Sequence, residues 1–416
     1  MSSLAALSHR NFRLLWIGQL VSFSGSMMQN AAILWQVSLL APPGHKGLAL
    51  GMVGASRFVP IIFFSLLSGA VADAFDRRRV MLVTQSAMGL IAGALAVLTF
   101  GGLTSAWPIY VLSMIGGAAS TFDGPARQSL IPALVPRHHL PSAISLNTTM
   151  FQIAAVSGPA LGGLVIGLLG IGWAYAFNAL SFLGVIYALI SMRDVPEVPD
   201  EERSEVSLHA VVEGIRFVFS TPLIRSSMLV DFFATFFSSA MALLPIFAQD
   251  ILHVGPSGYG WLVAAPAVGA VVTGITMISA VHAIERRGQT LLVAVGVYGL
   301  ATVLFGLSTT FWMTFCCLAV TGVADTVSMV LRNLIRQLGT PDSMRGRMIG
   351  VNMVFFMGGP QLGELEAGLV ANAFGAPFSV ISGGVGCLLA TLVLAWSTPE
   401  LRAYRREESL RRVATA

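Results

Sequence analysis

The residues able to do chemistry in this 416-residue chain are few, and they stand singly inside long apolar runs. Asp123, Asp231, Asp325, Glu364 and Glu366 are the embedded acids; Arg57, Arg127 and Arg332 are the embedded bases. Ionisable groups at membrane depth are rare, and they mark ion pairs, proton relays or solute paths. The histidines His9, His45, His138, His139, His209, His253 and His282 all fall in loops or at helix ends. A carboxylate must therefore carry any proton that moves through the apolar region, and Asp231, Asp325, Glu364 and Glu366 are the coupling candidates.

Spacing sorts these groups. Asp123 precedes Arg127 by one helical turn, the order that favours an i,i+4 ion pair. Glu364 and Glu366 are two residues apart, so on a helix they point roughly 200° from each other and cannot face one cavity together. Arg332 and Arg336 sit at the matching end of a later run and read as inner-gate or interfacial anchors. In the first run, Gln19, Gln29 and Asn30 are candidates for binding a substrate, with Trp16, Phe23, Trp35 and Phe233 as aromatic walls. The same residues serve equally as packing.

These groups need helices to hold them, and composition says which kind. The chain is 55% hydrophobic and 11% charged, where a soluble domain carries roughly a quarter charged residues. The excess calls for lipid as solvent. Runs long enough to span a bilayer fall near 13–40, 48–72, 80–101, 106–130, 143–169 and 172–192, then near 225–249, 258–281, 290–308, 311–335, 347–373 and 376–396. The expected fold is an all-α membrane protein of about twelve transmembrane helices.

Arginines set its orientation. With the N-terminus inside, the inner loops carry Arg77–Arg79, Arg137, Arg193, Arg203, Arg286, Arg287, Arg345 and Arg347, and the tail carries Arg402, Arg405, Arg406, Arg411 and Arg412; the outer loops hold Lys46. Both termini are expected in the cytoplasm, with the chain multi-pass in the cell (inner) membrane. The expected organisation is a six-helix half over 1–192, a linker over 193–223 with an amphipathic helix, a second half over 224–400, and a basic tail over 401–416. Net charge of +4 in scattered arginines is no nucleic-acid footprint. Cys316, Cys317 and Cys387 lie in apolar runs, so no disulfide framework is expected. No P-loop, HExxH or nucleophile–base arrangement stands out, and neither an enzyme nor a cofactor is expected.

The two halves echo each other. Arg127/Arg332, Pro136/Pro341, Asn147/Asn352, Phe151/Phe356, Gly158/Gly363 and Gly163/Gly368 are each separated by the same interval (332 − 127 = 205). Asp76/Glu285, Arg77/Arg286 and Arg78/Arg287 share a second one (286 − 77 = 209). Parallel six-helix repeats with the solute held between them are an architecture of secondary transporters.

The loop Gly69-Ala-Val-Ala-Asp73-Ala-Phe-Asp76-Arg77-Arg78-Arg79 and the stretch Ser157-Gly158-Pro159-Ala160-Leu161-Gly162-Gly163 resemble two motifs of the major facilitator superfamily. Ala74 and Asp76 depart from the first motif, and Ser145 and Ala154 from the second. The opening SHRNFRLLWIGQLVSFSGSMMQ is similar to the siderophore- and macrolide-efflux branch. The resemblance implies a cytoplasmic gate at Gly69, Asp73, Asp76, Arg77 and Arg78, and a mobile interface at Gly158, Pro159, Gly162 and Gly163. It also makes the second and eleventh spans neighbours, so Arg57 is expected either to pair with Glu364 or Glu366 or to reach the outer surface. The function expected is proton-coupled efflux of a small, rather apolar organic compound, drug- or siderophore-like, by a monomer in the bilayer. A proton-coupled importer and a non-transporting sensor or scaffold of the same fold are the alternatives.

Overall fold

Apolar segments in lipid must satisfy every backbone N–H and C=O internally, which leaves the helix as their structure. The computed structural model describes residues 4–193, 208–237, 239–280 and 283–406. Residues 194–207 of the linker (including Arg203), His282 and the tail beyond 406 (with Arg411 and Arg412) lie outside the described residues, as do the side chains at positions 69, 73 and 345.

The first half is α1 (Arg10–Leu40), α2 (Lys46–Ala74), α3 (Arg77–Phe100), α4 (Trp107–Leu130), α5 (Leu140–Leu168) and α6 (Ile171–Ser191). A shorter helix, α7 (Leu208–Ser220), carries exposed Val212, Ile215 and Phe219 on one stripe. Then come α8 (Pro222–Phe237), α9 (Gly255–Ala280), α10 (Arg287–Gly306), α11 (Phe311–Gly339), α12 (Asp342–Phe374) and α13 (Ala376–Ser397). No strand occurs among the described residues.

Nine helices among the described residues are long and apolar enough to cross a membrane. The other long ones are α1, α4 and α12, of 31, 24 and 33 residues. They are the helices diluted by Gln19, Gln29 and Asn30, by Asp123 and Arg127, and by Glu364 and Glu366.

One expected span is not a plain helix. The run near 225–249 is helical to Phe237, then proceeds through a 3₁₀ turn (Ala240–Leu243) and a π turn (Phe247–Ile251). Pro245 lies inside that irregular stretch, where its missing N–H and ring clash prevent an uninterrupted ladder. Pro60, Pro159, Pro266 and Pro360 are instead accommodated within their helices.

Two compact units result. The first comprises Met1–Pro43, Ser56–Val206 and Val254–Ala264; the second comprises Gly44–Ala55, Ser207–His253 and Ala265–Ala416. Each unit therefore takes in one short segment from the other half of the sequence. In the first, a Cβ added at Gly163 of α5 would stand 2.5 Å from the Pro256 carbonyl oxygen and 2.8 Å from Gly260 Cα. In the second, a Cβ at Gly368 of α12 would stand 2.5 Å from the Gly47 oxygen and 2.6 Å from Gly51 Cα. Both contacts obey the repeat, since Gly163/Gly368 and Gly51/Gly260 keep its two intervals (368 − 163 = 205; 260 − 51 = 209). Gly170 and Gly375 keep the first interval too, and each opens a helix at positive φ, +100° and +92°, a conformation that suits glycine.

At one end of the first unit, arginines tie helix ends together. Arg10 donates to the Ser191 carbonyl at 3.0 Å, Arg77 to Ser129 O at 2.9 Å and Arg78 to Ile190 O at 3.0 Å. Asp76 caps α3 by accepting from the Arg78 N–H at 2.8 Å. In the second unit, Arg347 of α12 and Glu213 of α7 form a 2.6 Å ion pair.

Candidate functional site

Asp231 sits in α8 one turn beyond Ser227, and both face α11, where Asp325, Arg332 and Arg336 share a face at helical spacing. The Asp231 residue is 3% exposed. Its Oδ1 lies 3.1 Å from Arg332 Nη1, and its Oδ2 accepts from Arg336 Nη2 at 3.0 Å. Arg336 also donates to the Ser227 hydroxyl at 3.2 Å, to the Ser227 carbonyl at 2.9 Å and to Asn352 Oδ1. Arg332 Nη2 reaches Asp325 Oδ1 at 3.2 Å, where the Asp325 side chain is half exposed.

Two acids and two bases make this buried cluster nearly neutral as a whole. Such groups leave water only when each charge finds a partner. The planar guanidinium of Arg336 serves a carboxylate, an amide and a backbone oxygen together, which a lysine could not. A proton placed on Asp231 would weaken both ion pairs and leave the two guanidinia with Asp325 as their remaining charged partner. To the sequence reading of Arg332 and Arg336 as inner-gate or interfacial anchors the structure adds a partner, the embedded carboxylate of α8.

The first unit holds the counterpart with different chemistry. Asp123 and Arg127 do pair along α4, Oδ2 to Nε, at 3.8 Å. The other Asp123 oxygen accepts from Thr84 Oγ1 at 3.0 Å and Gln85 Nε2 at 2.8 Å. The Arg127 guanidinium lies over the rings of Phe23 and Phe151, 4.7 and 4.8 Å from their centroids. Gln19, 2% exposed, lines a small pocket with Arg127 and Asn147.

The remaining candidates are dispersed. Arg57 donates to Asn30 Oδ1 at 3.1 Å, and Gln29 accepts from Asn178 at 2.8 Å, so these polar groups of α1 are engaged within their unit. Trp35 is buried against Tyr259, whose hydroxyl donates to the Ala31 carbonyl at 3.1 Å. Glu364 packs its Cβ against Gly54, where an added Cβ would approach to 2.6 Å. Glu366 is partly buried on the same helix. Gly158 and Gly162 of α5 lie against Ser24, Met27 and Met28 of α1. Pro159 is buried, and its carbonyl lies at Gly260.

Sequence reasoning did not assign roles to Ser227, Asn352 or Phe151 at these sites. The repeat held the signal for two of them, since Asn147/Asn352 and Phe151/Phe356 were already paired by interval. Among the described residues no cluster of His, Cys, Asp and Glu could hold a metal ion.

The sequence matches the family of transmembrane secretion effectors over residues 1–412. The chain belongs to that family, within the major facilitator superfamily. This transporter is 26% identical to the enterobactin exporter EntS of Escherichia coli over 400 residues, covering 96% of this chain and 94% of the relative. The EntS of Citrobacter koseri matches at the same identity and coverage. Among solved structures, a bacterial homologue of the lysosomal transporter Spinster superposes with a TM-score of 0.73 at 13% identity, covering 94% of this chain and 98% of that one. A bacterial homologue of the iron transporter ferroportin gives 0.68 at 16% identity, covering 93% and 98%. These neighbours share the fold. The transporter is an integral membrane protein of the efflux type and not an enzyme.

Proposed function

We propose that this transporter exports a small, rather apolar organic compound, drug- or siderophore-like, in exchange for protons, with Asp231 as the coupling carboxylate. The observation that carries the reading is the buried Asp231 held between Arg332 and Arg336 at 3.1 and 3.0 Å. Protonation of Asp231 from one side of the membrane loosens α8 from α11. Deprotonation on the other side restores the pairs, and with them the other state of an alternating-access cycle. Asp325, half exposed beside Arg332, is the group that passes the proton or holds Arg332 meanwhile. The arginine distribution supports cytoplasmic termini, and a single chain suffices for the cycle.

Inverted membrane vesicles test this. Vesicles from cells producing the wild type or Asp231→Asn are incubated with a panel of compounds that includes enterobactin, the compound in the relatives' name, under an imposed acid-inside gradient. Wild-type vesicles accumulate a compound when the gradient is imposed, and Asp231→Asn vesicles lose that dependence. Gradient-driven accumulation that survives in Asp231→Asn overturns the coupling role. Movement in the opposite direction makes the protein an importer.

A further inference from the structure

Repeat partners Arg127 and Arg332 (332 − 127 = 205) have different neighbours on the first long helix of their unit. Asp231 of α8 brings a carboxylate to Arg332 of α11. Gln19 of α1 brings an amide to the pocket that Arg127 of α4 lines.

The consequence is a set of unmatched hydrogen-bonding groups. Among the described residues, neither amide atom of the buried Gln19 has a hydrogen-bond partner, and neither do Nε and Nη1 of Arg127. Asp123 does not relieve them: one of its oxygens is taken by Thr84 and Gln85, and the other stays 3.8 Å from Arg127 Nε. The guanidinium carbon of Arg127 lies over the Phe23 and Phe151 rings, which offer no hydrogen-bond acceptor oxygen. A ligand that satisfies Nε and Nη1 must do so as an acceptor.

These groups converge on the small pocket between α1, α4 and α5. Asn147 adds a third polar side chain, and Leu15, Trp16 and Met150 supply apolar wall. There is room for about one water-sized group, which is the size of a single oxygen atom. A hydrated inorganic anion is poorly matched to a mostly apolar lining, whereas an organic acid brings one charged oxygen on an apolar body.

We propose that the pocket formed by Gln19, Arg127 and Asn147 receives one anionic oxygen of the transported solute, so that the solute is an apolar or aromatic organic acid. This rests on the efflux reading above and narrows its substrate class. In the first repeat the solute does for Arg127 what Asp231 does for Arg332 in the second.

Equilibrium binding to the purified full-length protein tests it without requiring transport. The probes are 2-naphthoate and 2-naphthamide, which share a body and differ in the charged oxygen, titrated by calorimetry in a chloride-free gluconate buffer. The wild type binds naphthoate at least about tenfold more tightly than naphthamide, the scale of one charge-assisted hydrogen-bond set in a partly buried site. Gln19→Met, which keeps length and removes both amide atoms, lowers that preference at least about fivefold while melting no lower than the wild type. Arg127→Lys lowers it as well, because a lysine lacks the in-plane fork.

Equal binding of the two probes overturns the proposal, as does an undiminished preference in Gln19→Met or no naphthoate binding at about millimolar concentration. Chloride is titrated separately. If chloride shifts the wild-type melting temperature and not that of Gln19→Met, and naphthoate does not compete with it, the pocket is an inorganic-anion seat and the proposal fails. Vesicle efflux can fail while this selective binding holds, and the reverse, so the two readings stand or fall apart.

Discussion

Asp231 of α8 and Arg332 of α11 lie 3.1 Å apart, while Arg127, the repeat partner of Arg332, has the carboxylate of Asp123 on its own helix at 3.8 Å and shares a pocket lining with Gln19. The cation recurs on the fourth helix of each half, and its acidic neighbour comes from another helix in the second unit and from the same helix in the first. On the readings proposed above, the second cluster serves coupling and the first serves recognition.

Removing one charge from the second-repeat cluster is expected to cost more than removing a matched pair. Asp231→Asn leaves Arg332 and Arg336 under-partnered and should lower stability by roughly 3–5 kcal/mol, the range for breaking a buried pair. Asp231→Asn combined with Arg332→Met should recover part of the loss. Thermal unfolding of the purified variants decides it, and a double variant that loses the sum of both single effects would show that the pair is not the source.

Arg336→Lys keeps the charge and loses the fork. One ammonium cannot reach Asp231, Asn352 and the Ser227 carbonyl from a single point, so at least one buried acceptor is left unmatched, at about 1–3 kcal/mol. The melting temperature should drop although net charge is unchanged. A variant as stable as the wild type would mean that charge alone, not geometry, holds α8 to α11.

Gly163→Leu inserts a side chain where a Cβ would already stand 2.5 Å from the Pro256 oxygen. Overpacking of this kind costs about 1–3 kcal/mol, and the helices must separate to accept it. A disulfide engineered between Gly167→Cys and Ser257→Cys, chosen because a Cβ at Gly167 falls 3.1 Å from Ser257 Oγ, should form readily in the parent and slowly in Gly163→Leu. Equal rates would contradict the close approach.

Arg347→Ala releases α7 from α12 by removing the 2.6 Å partner of Glu213. Both side chains are more than a third exposed, so global stability should change by less than about 1 kcal/mol. Backbone amide exchange over 208–220 should nonetheless quicken, measured by deuterium uptake. Unchanged uptake would mean that the apolar stripe of Val212, Ile215 and Phe219 anchors the helix by itself.

Local features were legible in the sequence, and convergent ones were not. Helix ends fell within a few residues of the apolar runs because hydrophobic length is a local property. The Asp123–Arg127 pair was readable from its spacing along one helix. The partners of Asp231 were not, since Arg332 and Arg336 lie on another helix a hundred residues away and nothing local says which faces meet. The irregular turns over Ala240–Ile251 were hidden for the opposite reason: most of their residues are apolar, so hydropathy continues where a plain α-helix does not. Gln19 was legible as a polar residue of the first run, but its place in one pocket with Arg127 depends on how α1 packs on α4 and α5, which no local spacing shows.

The glycine contacts at Gly163 and at Gly368 have a mechanical meaning. Where most helices lock by side chains seated in each other's hollows, these meet backbone to backbone at Gly260 and at Gly51. At those two points there are no side chains to interdigitate, so the seam is smooth there, and the side chains that key into it stand further along, Glu364 at Gly54 and Ser257 at Gly167.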